Sequence, residues 1–274
     1  MGVERKMKPE HRPASNWPFY LGFGLLGGLY LALILAMLAA DLLNTSPAHF
    51  WDALSSPEIR YSIRLSLISC SISAILAIWF AVPLGYLLSR TEFIGKTLFD
   101  TILDIPIVIP PLVVGLSLLI LFQTPPGQFV QKYIPVTFAI PSVILAQFTV
   151  STAFAVRTMR VTFDQIPART EQVALTLGCN RSQAFWHVTF PQARRGLLTA
   201  FTLAWARSLG EFGPILIFSG ATRMKTEVLP TTVFLELSIG RLEAALAVSL
   251  LMVVVAMVVL VITRAFGLRG AGLI

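Results

Sequence analysis

Six apolar runs, each close to the length needed to cross a bilayer, constrain this chain more than any other feature. They extend over about 19–40, 61–88, 101–122, 138–156, 197–218 and 242–263. A membrane-spanning helix needs about 20 such residues, whereas a transmembrane β-barrel is built from short alternating segments. The composition agrees. Charged residues make up 13% of the 274-residue chain and the mean hydropathy is +0.77, against about 25% charged in a soluble domain. These values exclude a soluble single-core enzyme and a disordered chain. They predict an all-α, polytopic membrane protein with six transmembrane helices. The first run exceeds the ~7–15 residues of a signal-peptide core, so it reads as a retained span.

Charge placement sets the orientation. Four Lys/Arg lie in the N-terminal tail (1–18), two in 89–100, six in 157–195 and two in the C-terminal end, Arg264 and Arg269. The other side carries Arg60, Arg64, Lys132, Arg223, Lys225 and Arg241, and Arg207 lies within the fifth run. The excess predicts that both termini and the 157–195 loop are cytoplasmic. It also accounts for the net charge of +7 without nucleic acid as a partner. The domain expectation is a tail over 1–18, one transmembrane domain over 19–266 and a tail over 267–274.

Motifs for chemistry are sparse. The two cysteines and three histidines are scattered and have no metal-ligand spacing. Gly95-Lys96-Thr97 looks like the end of a P-loop, but the required preceding Gly falls on Arg90. ATP binding by this chain is therefore not expected, and any energy must come from a partner or an ion gradient. No convergent catalytic set lies in the spans, so an intramembrane enzyme is a distant alternative.

Pro106, Pro110 and Pro111 interrupt the third run. Each lacks an N–H, and freed carbonyls at membrane depth need protein or a water-filled cavity beside them. Either a packing kink or a segment facing a pathway would satisfy that. In the fifth run, Glu211 follows Arg207 by four residues, a spacing that permits an ion pair. The pair could hold helices together or act at a gate. Ser208 and Gly210 belong to the same stretch.

The most patterned segment is the long cytoplasmic loop, from Pro167 to Pro191. Residues 168–177 favour a helix, and Gly178 and Asn180 stop it. Ser182 suits the N-cap of a second helix that carries Phe185, Trp186 and Val188 and ends at Pro191. The two aromatic residues on a basic loop suggest a helix that fits a partner's groove. The loop resembles the EAA loop of ABC importer permeases, in which Glu-Ala-Ala is followed by Gly, nine residues and Ile-x-Leu-Pro. Here Gly178 is followed by nine residues and then Val188-Thr189-Phe190-Pro191. In the Glu-Ala-Ala register stand Gln172, Val173 and Ala174, with Glu171 one place early.

The stretches Ala206-Arg207-Ser208-Leu209-Gly210-Glu211-Phe212-Gly213 and Ile109-Pro110-Pro111-Leu112-Val113-Val114-Gly115 are similar to the molybdate- and sulfate-type members. The resemblance implies the fold of a type I importer permease and a cargo of tetrahedral oxyanion, molybdate first, then tungstate or sulfate. Phosphate or polyamine import is the alternative. It further implies a docking loop (Glu171, Ala174, Leu177, Gly178, Phe185, Val188, Pro191) for two ATPase subunits that use ATP and Mg. The remaining implied partners are an extracytoplasmic binding protein and a second permease copy, in a cell membrane. Pro110, Pro111, Arg207, Ser208, Gly210 and Glu211 are the implied pathway or gate candidates. Catalytic residues, metal ligands and bound cofactors are not expected.

Overall fold

A computed structural model describes residues 17–45 and 47–269. Arg5, Lys6, Lys8 and Arg12 of the assigned N-terminal tail, and residues 270–274 of the C-terminal one, lie outside the described residues. Among the described residues every regular element is helical. The chain divides into two compact units after Asn44, where the expectation was one domain over 19–266.

The first unit holds α1 (Trp17–Leu43), a single helix with apolar side chains on all faces. The second unit holds the rest. The long helices are α3 (Pro57–Arg90), α7 (Ile140–Gln165) and α14 (Leu242–Arg269). Between the first two lie α4 (Lys96–Val108), α5 (Pro111–Gln123) and α6 (Pro125–Tyr133). After α7 come α8 (Ala168–Thr176), α9 (Arg181–Ala184), a π turn (Phe185–Thr189), α10 (Phe190–Gln192), α11 (Arg194–Leu209), α12 (Gly213–Phe218) and α13 (Leu229–Ser238). A short α2 (Pro47–Ser55) precedes α3.

Among the described residues four helices are long and apolar enough to span a membrane: α1, α3, α7 and α14. The third and fifth apolar runs, read as single spans from sequence, are each broken. Helices α4 and α5 together pass as a span but bend by 111° at Ile109–Pro110. Ile109 and Pro110 are both extended, and Pro111 then starts α5, where its missing N–H is harmless. The fifth run stops at Gly210 and restarts at Gly213. The loop drawn over 157–195 is also shorter. Arg157 and Arg160 lie in the last turns of α7, Arg194 and Arg195 open α11, and the surface segment is 166–193.

The core is α3 packed on α7, with α11 laid against both. Small residues let these helices approach closely, as membrane bundles require. On α3 the face Ser62, Ser66, Ser69, Cys70, Ser73, Ala74, Ala77 and Ala81 is buried. Its serines are satisfied locally or across helices: Ser73 Oγ donates to the Ile144 carbonyl at 3.0 Å, and Ser66 Oγ accepts from Leu229 N at 2.8 Å. A Cβ on Gly85 would lie 2.9 Å from the Arg160 nitrogen of α7, so α3 and α7 touch backbone to backbone there.

Candidate functional site

Two regions of the second unit collect the residues singled out from sequence. The first is the surface segment 166–193. Helix α8 ends in a Schellman motif: Gly178 N donates to the Leu175 carbonyl and Cys179 N to the Ala174 carbonyl, both at 3.1 Å. Gly178 takes φ +93°, with no atom within 4 Å of where a Cβ would sit. Glycine is needed there for conformation, not for space. The second helix is capped by Asn180, not Ser182. Asn180 Oδ1 accepts from Gln183 N at 2.8 Å and Gln183 Oε1 accepts from Asn180 N at 2.9 Å, a reciprocal capping box. Pro191 does not end this helix. Lacking an N–H, it leaves a carbonyl free, the ladder widens to a π turn over Phe185–Thr189, and α10 passes through it almost directly into α11.

The docking candidates separate into two faces. Leu177 is 80% exposed, Trp186 57% and Val173 50%. Phe185, expected to enter a partner's groove, is half-buried and edges a cleft of about 650 Å³ with Tyr86, Arg90, Glu171 and Leu175. Its ring packs 4.8 Å from Tyr86 and 6.3 Å from Phe163, centroid to centroid. Val188 and Pro191 are half-buried, and Ala174 is buried. Glu171 is only 9% exposed. It accepts from the Tyr86 hydroxyl and from Thr189 Oγ1 at 3.3 Å, and its Oε2 lies 3.6 Å from Arg90 Nε. Arg90 in turn donates to the Ile166 carbonyl at 2.7 Å. Glu171 thus ties α8 and the π turn to the end of α3. Tyr86 and Arg90 were missed from sequence because only the fold brings them to a carboxylate some eighty residues away.

The second region is where the two broken runs meet. A Cβ on Gly213 would lie 2.9 Å from Pro111 Cβ, and one on Gly115 would lie 2.8 Å from the Pro214 Cα. The start of α12 therefore sits directly on the start of α5, so the Pro110–Pro111 break and the Gly210–Phe212 break are neighbours. Arg207 Nη1 is 2.8 Å from Glu211 Oε1. The contact is ionic and off the hydrogen-bond axis, so that oxygen accepts no hydrogen bond from the described residues. Glu211 is 1% exposed, and the guanidinium also lies over Phe154, 5.5 Å from its ring centroid. Ser208 Oγ, fully buried, likewise lacks a partner among the described residues. Gly210, with φ −82° and no crowding, has no need to be glycine. Gly213 and Gly115 do, and no local rule marks a glycine whose neighbour lies a hundred residues away.

A third cluster had no sequence signal. Arg223 Nη2 lies 2.7 Å from Glu236 Oε1, and its Nη1 lies 3.5 Å from Glu227 Oε1. Burial pushes the Glu227 carboxyl up, with Arg223 opposing it. Arg223 and Glu236 edge a cleft of about 810 Å³ beside Asp52 and Glu58. Among the described residues no cluster has the His, Cys, Asp and Glu grouping of a metal site.

Residues 81–269 match the family described as binding-protein-dependent transport system inner membrane component. The sulfate transport system permease protein of Salmonella typhimurium is 32% identical over 224 residues, 81% of each chain. The molybdenum transport system permease protein of Mycobacterium tuberculosis is 31% identical over 251 residues, 90% of this chain and 94% of that one. Among solved structures, a bacterial ABC transporter for import of the acidic polysaccharide alginate superposes with a TM-score of 0.74 at 18% identity. That match covers 93% of this chain and 96% of that one.

Proposed function

The chain belongs to the binding-protein-dependent transport system inner membrane component family and is an ABC importer permease; from that premise we propose that its cargo is a tetrahedral dianionic oxyanion. One observation carries the reading. Relatives named for sulfate and for molybdenum transport match at the same level, 32% and 31% identity, and what sulfate and molybdate share is a tetrahedral dianion. Molybdate is the first assignment, with tungstate and sulfate next.

On this reading two copies of the chain pair around one path in the inner or plasma membrane, with both termini in the cytoplasm. A binding protein delivers the anion from outside. Two separate ATPase subunits seat on the 166–193 segments, where Val173, Leu177 and Trp186 each expose an apolar side chain. ATP closes the ATPases, the two segments move together, and the path switches from inward-open to outward-open, a rigid-body alternation. Pro110, Pro111, Arg207, Ser208, Gly210 and Glu211 form the gate, supported by the adjacency of the two helix breaks. Transporters commonly place the working point at discontinuous helices. The chain performs no covalent step and holds no cofactor; ATP and Mg serve the partner.

The test is reconstitution of the permease with its ATPase and binding protein in proteoliposomes. ATP-dependent uptake of molybdate, tungstate or sulfate is expected, with no uptake of phosphate or spermidine. Uptake of phosphate or spermidine in place of the oxyanions would overturn the substrate assignment.

A further inference from the structure

Helix α4 leads into the Pro110–Pro111 break, and charge holds it to the bundle. None of its side chains is fully buried. Its half-buried stripe runs through Asp100, Leu103, Asp104 and Ile107. Leu103 touches the core. Asp100 accepts a hydrogen bond from Arg160, and Asp104 Oδ2 lies 2.6 Å from Arg157 Nη1. Both arginines stand in the last turns of α7.

The contact is not close-packed. A cavity of about 290 Å³ lies between the two helices, lined by Leu103 and Val156 and by the charges of Asp100, Asp104, Asp164 and Arg160. Beside it α3 and α7 meet backbone to backbone, at Gly85 and Arg160. The ends of α4 are also free to turn. It starts after Gly95, at φ +88° with no atom within 4 Å of where a Cβ would sit. It stops at the extended residues Ile109 and Pro110. Non-helical residues at both ends of an element are what hinge motion uses.

The charges are arranged so that α4 can leave. Arg160 Nε also lies 3.9 Å from Asp164 Oδ2, one turn further along its own helix. Arg160 therefore keeps a counter-charge when Asp100 departs. Arg157 is 64% exposed, and Asp100 and Asp104 about a third, so water can replace their partners. Breaking a buried pair strands a charge. Breaking these pairs does not, and exposed pairs are weak.

Load reaches Arg160 from the α3 side. Glu171 and Phe185 tie the 166–193 segment to the end of α3 through Tyr86, and Gly85 sets α3 against Arg160. A displacement of the segment thus moves Arg160 against Asp100.

We propose that Asp100 and Asp104, with Arg157 and Arg160, form a clasp that positions α4, and with it the Pro110–Pro111 side of the gate, in the nucleotide-free transporter. The clasp opens when the ATPases close, and Asp164 then holds Arg160. These are positioning residues. The inference rests on the gate reading and is independent of the cargo.

Cross-linking tests it. Leu103→Cys and Val156→Cys, across the cavity, are combined in a Cys179→Ser background, since Cys179 is partly exposed and Cys70 is buried. The transporter assembled with its ATPase is treated with a short bifunctional methanethiosulfonate, once nucleotide-free and once trapped with ATP and vanadate. Bridged peptides are quantified by mass spectrometry. Bridging should be efficient without nucleotide and fall severalfold on trapping, and a bridged transporter should not take up cargo until reduced.

Charge variants add a readout that lost packing alone would not give. Asp100→Asn and Asp104→Asn should each lower bridging without nucleotide. Each should also raise ATP hydrolysis in the absence of binding protein, by about threefold for each pair lost. Asp164→Asn removes the standby partner and should act in the opposite direction, with bridging retained on trapping and hydrolysis lowered. Exchanging the charges, Asp104→Arg with Arg157→Asp, should restore parental behaviour. Equal bridging in the two forms, or more in the trapped one, would overturn the proposal, and this measurement needs no charge variant to assemble. So would Asp100→Asn and Asp164→Asn shifting hydrolysis the same way. A clasp that behaves as expected in a transporter that takes up no oxyanion would sink the cargo reading alone.

Discussion

Replacing Glu171 by Gln should uncouple the transporter without detaching its ATPase. Glutamine keeps the shape of the side chain, and its carbonyl can still accept the Tyr86 hydroxyl. What is lost is the charge beside Arg90. That guanidinium is only 13% exposed and retains its 2.7 Å bond to the Ile166 carbonyl. The new amide brings N–H groups where Arg90 also offers N–H groups. A hydrogen bond to a charged group contributes about 1.5–3 kcal/mol, and 1.4 kcal/mol is about tenfold in an equilibrium. The seated position of α8 against α3 should therefore lose roughly ten- to a hundredfold in its equilibrium. The exposed side chains of Val173, Leu177 and Trp186 are untouched, so pulldown of the ATPase subunit should be near that of the parent. ATP hydrolysis should persist while uptake per ATP falls, and protease cleavage within 166–193 should speed up. Tyr86→Phe should do the same more weakly, and the double variant should be less than additive, because both changes act on one network. If Glu171→Gln loses the ATPase in the pulldown yet shows parental protease resistance, Glu171 faces the partner and the inward assignment fails.

Two further predictions concern single positions. Gly178→Val places a β-branched residue at φ +93°, at a cost of about 1–3 kcal/mol with no steric clash to add; the spans should fold, ATPase pulldown and uptake should fall, and Gly178→Asn should lose less, with parental docking of the Val variant refuting the role of the turn. Arg207→Gln and Glu211→Gln each leave a charge in or near the bundle interior without its counter-ion; each should reduce the yield of assembled complex on size exclusion, and the double variant should recover part of it, whereas normal assembly with lost uptake would favour a gate over a structural pair.

The helical fold and the place of each apolar run were legible because hydrophobic length acts locally along the chain. The continuity of those runs was not. Pro110–Pro111 announces a break, because proline carries its own constraint wherever it stands. Gly210, Gly213 and Pro214, which stands in the first turn of α12, mark the second break as well; what no local signal gives is the seating of α12 on α5. The two-helix form of the 166–193 segment was legible in outline because Gly178 is a local signal. Its two faces were not. Phe185 and Trp186 are adjacent and equally apolar in sequence, and only the position of Tyr86 and Phe163 decides which one is the more buried. The cap shifted from Ser182 to Asn180 because Gln183 completes a reciprocal pair with Asn180, and a single hydroxyl cannot match it.

The near-continuity from the π turn through α10 into α11 gives the proposed switch its mechanics. A displacement imposed on Leu177 and Trp186 has two routes into the membrane. One runs through Glu171 and Phe185 to the end of α3. The other runs along the chain itself, where Ala193 N bonds to the Thr189 carbonyl at 3.1 Å and Leu197 N to the Ala193 carbonyl at 2.8 Å. Helix α11 then crosses α7 at Gly196, where an added Cβ would lie 2.1 Å from Thr162 Oγ1, so it has little room to slide sideways. Packed helices respond to such loads by small rigid shifts and concentrate larger changes at non-helical residues. The first such residues along α11 are Gly210–Phe212, with Glu211 beside Arg207 and α12 resting on Pro111. On the proposed switch, a push at the surface is therefore delivered to the place where both broken runs meet.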